Sequence, residues 1–283
     1  MSSLTDEVVG FLLDEDAPPH DVRAKAVEHI VDGIAVMLAG SRTDCAGRLV
    51  GLVRDRGGKP ASTVIGFGFK SSPPDAAMVN GTSGHADDYD DTQLSTSPDR
   101  IYGLMTHPTV PVLAAALAVG EIMGCSGGDL LDAFIAGFEV ECKIAETIKP
   151  DHYRRGFHTT GTIGAFGAFA ASGRLLGLDE LELRHALGIV ASLTSGIRVN
   201  FGTMTKPLHA GMAASNGVTA PADAGRSSSA TAAGASRYPT GTGWLRRSHR
   251  SRPRCASSDR WACGPSICSS GCSGRSGGPL PPT

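Results

Sequence analysis

The stretch "HPTVPVLAAALAVGEIMG", residues 107–124, is apolar on nearly every side of a helical wheel. A helix with no polar face must be covered all round, so this segment predicts the central rod of a helical domain. Pro108 suits a first helical position, where its missing N–H is not needed. The rod requires neighbours, and the flanking sequence supplies them. "DVRAKAVEHIVDGIAVMLAG" (21–40) spaces Val27, Ile30, Ile34 and Leu38 as an apolar stripe, with Gly40 and Ser41 ending the helix. "SGGDLLDAFIAGFEVECKIAETI" (126–148) offers Ser126 as N-cap with Asp129 three residues on, then aligns Leu130, Phe134, Phe138 and Cys142. "TTGTIGAFGAFAASGRLLG" (159–177) is a helix of small residues that permits close backbone approach. "DELELRHALGIVASLTSG" and "HAGMAASNGVTA" complete the set. The one β-like run is "ASTVIGF" (61–67). The expectation is an all-α domain over residues 1–220 with at most a short hairpin.

Beyond residue 220 the character changes. Residues 221–283 hold no Glu, Lys or Phe and are built mainly of Ser, Gly, Ala, Arg, Pro and Cys without apolar periodicity. Such a chain cannot bury enough apolar surface to offset its entropy, which predicts a low-complexity, disordered tail. The composition is that of a GC-rich gene read out of frame, and a frameshift near residue 220 is the preferred account. Net charge is −2, but residues 222–283 carry nine Arg and two Asp, or +7, leaving −9 for residues 1–221. The tail's Cys255, Cys263, Cys268 and Cys272 form no CxxC pair, which argues against zinc. Its arginines predict no specific nucleic-acid partner. The N-terminus lacks the basic start and long apolar core of a signal peptide, and no segment reads as a membrane span. Cys45, Cys125 and Cys142 are scattered, which suits a reducing cytoplasm.

The chemistry concentrates in "NGTSGHADDYDDTQ" (80–93), where Asp87, Asp88, Asp90 and Asp91 crowd beside His85 and Thr92. Solvated acidic helix ends are common. Here, however, an apolar lead-in and the mixture with His, Thr, Asn and Tyr point inward. If helical, the segment would place His85, Asp88 and Thr92 on one face and Asp87 and Asp91 on another. "DDYDD" also has the DDxxD spacing of a magnesium–diphosphate site. No second acidic motif accompanies it, and 5% aromatic content is poor for a carbocation pocket.

Four motifs follow in fixed order: "NGxxxHxxDxDDT" at 80–92, "HP" at 107–108, "FHTTGTIG" from Phe157, and "KPLHAGMAASNG" from Lys206. Together with "DGIAVMLAGS" (32–41) they resemble the MmgE/PrpD family, which includes 2-methylcitrate dehydratases and cis-aconitate decarboxylases. The resemblance runs through residues 1–220. It implies a helical domain supplying much of a site for small, multiply anionic carboxylic acids, homodimerisation through that domain, and a following α+β lid domain that is missing here.

The resemblance maps Asp88, His107 and His158 as catalytic candidates, and Thr92, Lys206 and, less directly, His209 as substrate-binding ones. Asp90 and Asp91 read instead as residues that cap, pair or hold the loop. Histidine titrates near neutrality and serves as acid or base, while a lysine ammonium anchors a carboxylate. No metal ion or other cofactor is called for, since the cysteines show no iron–sulfur pattern. The loop from Gln93 to Thr106 is longer than expected and could displace His107. His20 and His152 read as surface residues and His185 as structural. Dehydration, decarboxylation and epimerisation all suit the pattern, as does an inert helical fragment or dimerisation module.

Overall fold

A computed structural model describes residues 3–14, 16–93, 106–148 and 151–231, with side chains through residue 225. Ten α-helices, one 3-10 turn (Arg198–Asn200) and one two-stranded hairpin make up the regular structure of the described part. In chain order these are α1 (Leu4–Leu13), α2 (His20–Gly40), α3 (Asp44–Arg56), β1 (Ser62–Val64), β2 (Phe69–Ser71) and α4 (Pro73–Gly84). Then come α5 (Thr109–Met123), α6 (Gly127–Ile148), the single turn α7 (Asp151–Arg154), α8 (Thr159–Leu176), α9 (Glu180–Leu193) and α10 (Thr205–Thr231). The all-α expectation holds, hairpin included. No helix among the described residues is long and apolar enough to cross a membrane.

The rod is where its sequence demanded. From Thr109 to Ala116 every residue of α5 is buried, surrounded by α2, α4, α6, α8 and α10. Pro108 precedes α5 as its N-cap, one residue outside the position expected. Phe134, Phe138 and Cys142 of α6 face the same core as Leu113 and Val119. A second core gathers Val9 and Leu12 of α1, Phe169 of α8, Leu183 and Val190 of α9, and Ala213 and Ala220 of α10. A third, around Val50, Val53, Val64 and Val79, seats the hairpin on α3 and α4. Each such Val, Leu or Phe contributes about 1.5–3 kcal/mol by leaving water.

Helix starts follow local chemistry. Ser126 and Asp129 exchange the two hydrogen bonds of a capping box ahead of α6, as their spacing predicts. Ser3 with Asp6 and Asp179 with Glu182 do the same for α1 and α9. The hairpin pairs Ser62 with Ser71 and Val64 with Phe69, and Asn80 of α4 clasps it. That amide accepts from the Ile65 N–H at 2.9 Å and donates to the Thr63 carbonyl at 3.0 Å.

The buried face of α2 matches the stripe read in the sequence only in its middle, where Ile30 and Ile34 pack against the main core. Val27 and Leu38 are each 49% exposed, and the buried positions include Ala26, Gly33, Met37 and Gly40. Glycine decides the rotation: Gly33 lies against Leu113 and Thr109, and Gly40 lies against the Ser83 carbonyl, so only that face lets α2 come so close. The boundary expected at residue 220 falls inside α10, which continues through Pro221 to Thr231 with Ala220 and Ala224 buried. The rest of the expected tail, 232–283, lies outside the described residues.

The crossing of α10 over α4 sets the distance between the two elements that carry the site. It depends on Gly81 meeting Gly211, whose own missing Cβ would strike the Met78 carbonyl and Thr82. Backbone on both sides leaves little room to yield. Gly211→Ala should therefore lower stability by about 1–3 kcal/mol, measured as a drop in urea midpoint with unchanged slope.

Candidate active site

The acidic segment is not a helix. The last residue of α4 is Gly84, His85 caps it, and residues 85–93 run through turns. Asp88 has φ 59°, in the left-handed region that Asp tolerates better than most residues. The shared helical face expected for His85, Asp88 and Thr92 is thus replaced by a turn. Physically, the turn is set by what each carboxylate finds. Asp90 folds under His85, with Nδ1 at 2.8 Å and both side chains buried. Asp91 accepts from the Thr109 N–H (3.2 Å) and hydroxyl (2.8 Å), capping α5, and lies 3.3 Å from His29 Nδ1. Asp88 takes the Lys206 ammonium at 2.5 Å. The pairing and capping expected of Asp90 and Asp91 are the observed contacts.

His107 stands between two of these acids. Its Nδ1 lies 3.4 Å from Asp90 and its Nε2 3.9 Å from Asp88, with the Thr92 hydroxyl 3.5 Å from Nδ1. The long loop does not displace it. The Gln93 N–H donates to the Thr106 carbonyl at 3.0 Å, clasping the base of residues 94–105, which lie outside the described residues. The His107 N–H then donates to Thr160 Oγ1 at 3.1 Å, and the Thr106 hydroxyl donates to Glu141 at 2.5 Å.

His158 immediately precedes α8, held by its N–H to the Gly196 carbonyl at 3.0 Å. Its Nδ1 is 3.0 Å from Nδ1 of His209, so one ring donates and the other accepts. The Phe201 ring meets His158 edge-on at 4.9 Å between centroids. His85 joins the two halves, 4.6 Å from the His107 ring and 5.6 Å from the His158 ring. All six residues named from the sequence therefore fall in one cluster, reached from the ends of α4, α5, α8 and α10. His152 is half-buried rather than on the surface, its Nε2 2.8 Å from the Thr162 hydroxyl, whereas His20 and His185 are exposed.

Electrostatics divide the histidines. Burial opposes charge on His107, but the hydrogen bond and field of Asp90, aided by Asp88, outweigh it and raise its pKa above the ordinary value. Burial and the surrounding His85, His209 and Lys206 drive His158 down to about 2, so it is neutral at physiological pH. His209 is lowered by burial and His85. Burial works against ionised Asp88 and Asp90, yet Lys206 holds the first, and His107 with His85 the second, below the usual carboxylate range.

Sequence reasoning passed over three participants. His85 stood inside the first motif but received no role. Glu141 is fully buried, and burial raises its pKa well above normal. Its signal was an acid between Phe138 and Cys142 in the apolar run of α6. Phe201 had no signal beyond its nearness to Lys206. His85, Asp88, Asp90 and His107 also offer ligand atoms within 4.8 Å of one another, compact enough for a metal ion. A metal there would compete with Lys206 for Asp88 and with the imidazoles for Asp90.

Asp90→Asn should cost on the order of 3–5 kcal/mol, as for breaking a buried charged pair, and lower the His107 pKa in an NMR titration. Because Asp90 is depressed, its stabilisation is complete above an unfolded pKa of about 4 and fades as pH falls through the folded value. The variant should flatten that acid limb.

The match to the MmgE/PrpD N-terminal domain covers residues 12–236. Cis-aconitate decarboxylase of Mus musculus is 34% identical over 197 residues, which is 68% of this chain and 38% of that protein. The Homo sapiens protein of the same name is 36% identical over 166 residues, 56% of this chain and 33% of its own length. That of Aspergillus terreus is 32% identical over 226 residues, covering 77% and 44%. The chain thus spans less than half the length of these curated relatives. With a matching domain over most of its length, and that domain's helices carrying the clustered motifs, the chain belongs to the MmgE/PrpD family.

Proposed function

We propose that this chain forms the carboxylate-holding, proton-handling part of a lyase site for small di- and tricarboxylic acids, working by acid–base chemistry on side chains alone. One observation carries the reading. The Lys206 ammonium, the Asp88 carboxylate and the His107 imidazole form one contact chain, with His85 and His158 stacked behind it. Between dehydration and decarboxylation we favour the second, because the relatives above bear the name cis-aconitate decarboxylase.

In this reading Lys206 keeps donors free beyond the one given to Asp88 and anchors a substrate carboxylate. A second carboxylate leaves as CO2 when its C–C bond breaks. The electron pair stays on carbon, delocalised toward a conjugated carboxylate, and takes a proton. His107 is the donor, because Asp90 favours its charged form. The proton lost to carbon is regained from solvent. Neutral His158 hydrogen-bonds the substrate, and Thr92 steadies it beside His107. In a dehydration the same neutral imidazole would instead act as base. The free Cys45, Cys125 and Cys142 support a reducing compartment such as the cytoplasm. The exposed Val27, Val31 and Leu38 of α2 support self-association.

The test is turnover of cis-aconitate by the full chain, following CO2, with 2-methylcitrate dehydration in parallel. Absence of both products above a blank ends the lyase reading for this chain. Given activity, His107→Gln should lower kcat by about 100-fold or more. The alkaline limb of kcat should lie above the ordinary histidine pKa, because the raised group must hold its proton. Asp90→Asn should shift that limb downward.

A further inference from the structure

We infer that Arg198 is a second carboxylate anchor, which makes the site select acids carrying one more carboxylate than Lys206 can hold. This rests on the carboxylate-site reading and deepens it. The placement follows from a short antiparallel contact. Phe157 and Ile197 form an isolated β-bridge, flanked by His158 N–H to the Gly196 carbonyl (3.0 Å) and Arg198 N–H to the Gly156 carbonyl (2.8 Å). Side chains alternate across such a pair, so Phe157 and Ile197 share one face while His158 and Arg198 share the other. The first face is outward, with Phe157 42% and Ile197 48% exposed, whereas His158 is buried. Arg198 thus leaves the backbone on the side that carries the reactive imidazole.

Its guanidinium is held flat and ready. The Tyr153 ring lies beneath it, 3.7 Å from Cζ, and one Nη donates to the Tyr153 carbonyl at 2.9 Å. Phe201 links it to the anchor already assigned: Cζ of Arg198 and Nζ of Lys206 sit 5.9 and 5.4 Å from the centroid of that one ring. What differs is compensation. Lys206 has Asp88, while Arg198 makes no ion pair among the described residues, and its Nε is buried without an acceptor. A buried N–H of a charged group without a partner is costly. A carboxylate presented to the Nε edge satisfies it with the paired geometry that guanidinium favours. The site therefore offers one ammonium partly spoken for and one guanidinium lacking its anion, both near the Phe201 ring that meets His158.

The experiment measures binding calorimetrically on the full chain, with tricarballylate and with glutarate, which is the same carbon chain lacking the central carboxylate. The unmutated chain should prefer tricarballylate. Arg198→Gln should weaken tricarballylate about tenfold, as for losing one charged anchor, and leave glutarate within about twofold. Lys206→Gln should weaken both. Arg198→Lys, which keeps charge but not the planar fork, should fall between and serves in place of Arg198→Gln if circular dichroism shows that variant unfolded. An Arg198 variant that weakens both acids equally, or neither, overturns the assignment while the carboxylate reading stands. An unmutated chain that binds neither acid overturns both.

Discussion

Four aspartates within residues 87–91 would repel one another, and the structure depends on giving Asp88, Asp90 and Asp91 separate hydrogen-bonding partners. Asp90 goes down to two imidazoles, Asp91 sideways to the start of α5 and His29, and Asp88 outward to Lys206 on α10. Asp87 stays in solvent. The division fixes the turn, and the turn fixes the site. For Asp90, the one of the three that is buried, losing a partner leaves a charge without compensation, which costs more than the pair contributes.

That arrangement needs helix ends delivered with little slack. Small residues supply it: Gly81 against Gly211, Gly137 against the Gly167 carbonyl, and Gly217 against Ala168 bring α4, α6, α8 and α10 to backbone contact. A side chain at any of these would separate elements that must meet to within a hydrogen bond. The abundance of Gly and Ala in α5, α8 and α10 is therefore a specification of distance. It also explains why the helices carry their chemistry at their termini, where space opens and backbone groups are unpaired.

Much of this was legible in sequence, for identifiable reasons. The all-apolar segment 107–124 could only be a buried helix, and the "SGGD" start of α6 announced its own cap. Asp88, His107, His158 and Lys206 were named because their motifs occur in order. The local geometry was not legible. Spacing suggested a helical face for His85, Asp88 and Thr92, but a positive φ at Asp88 and the pull of buried partners made a turn. Glu141 and Arg198 escaped because their significance lies in what they fail to touch, which no local pattern encodes.

The contact between His158 and His209 has a further meaning. With Nδ1 facing Nδ1, a single hydrogen sits between the two neutral rings, so their outer nitrogens are complementary: one Nε2 bears hydrogen and the other is bare. When the bare Nε2 takes up a proton and the central hydrogen passes across, the far Nε2 releases its own for both rings to stay neutral, and the two outer ends have then exchanged. The two rings thus work as a seesaw, able to take a proton at one edge and release another at the far edge while neither ring travels.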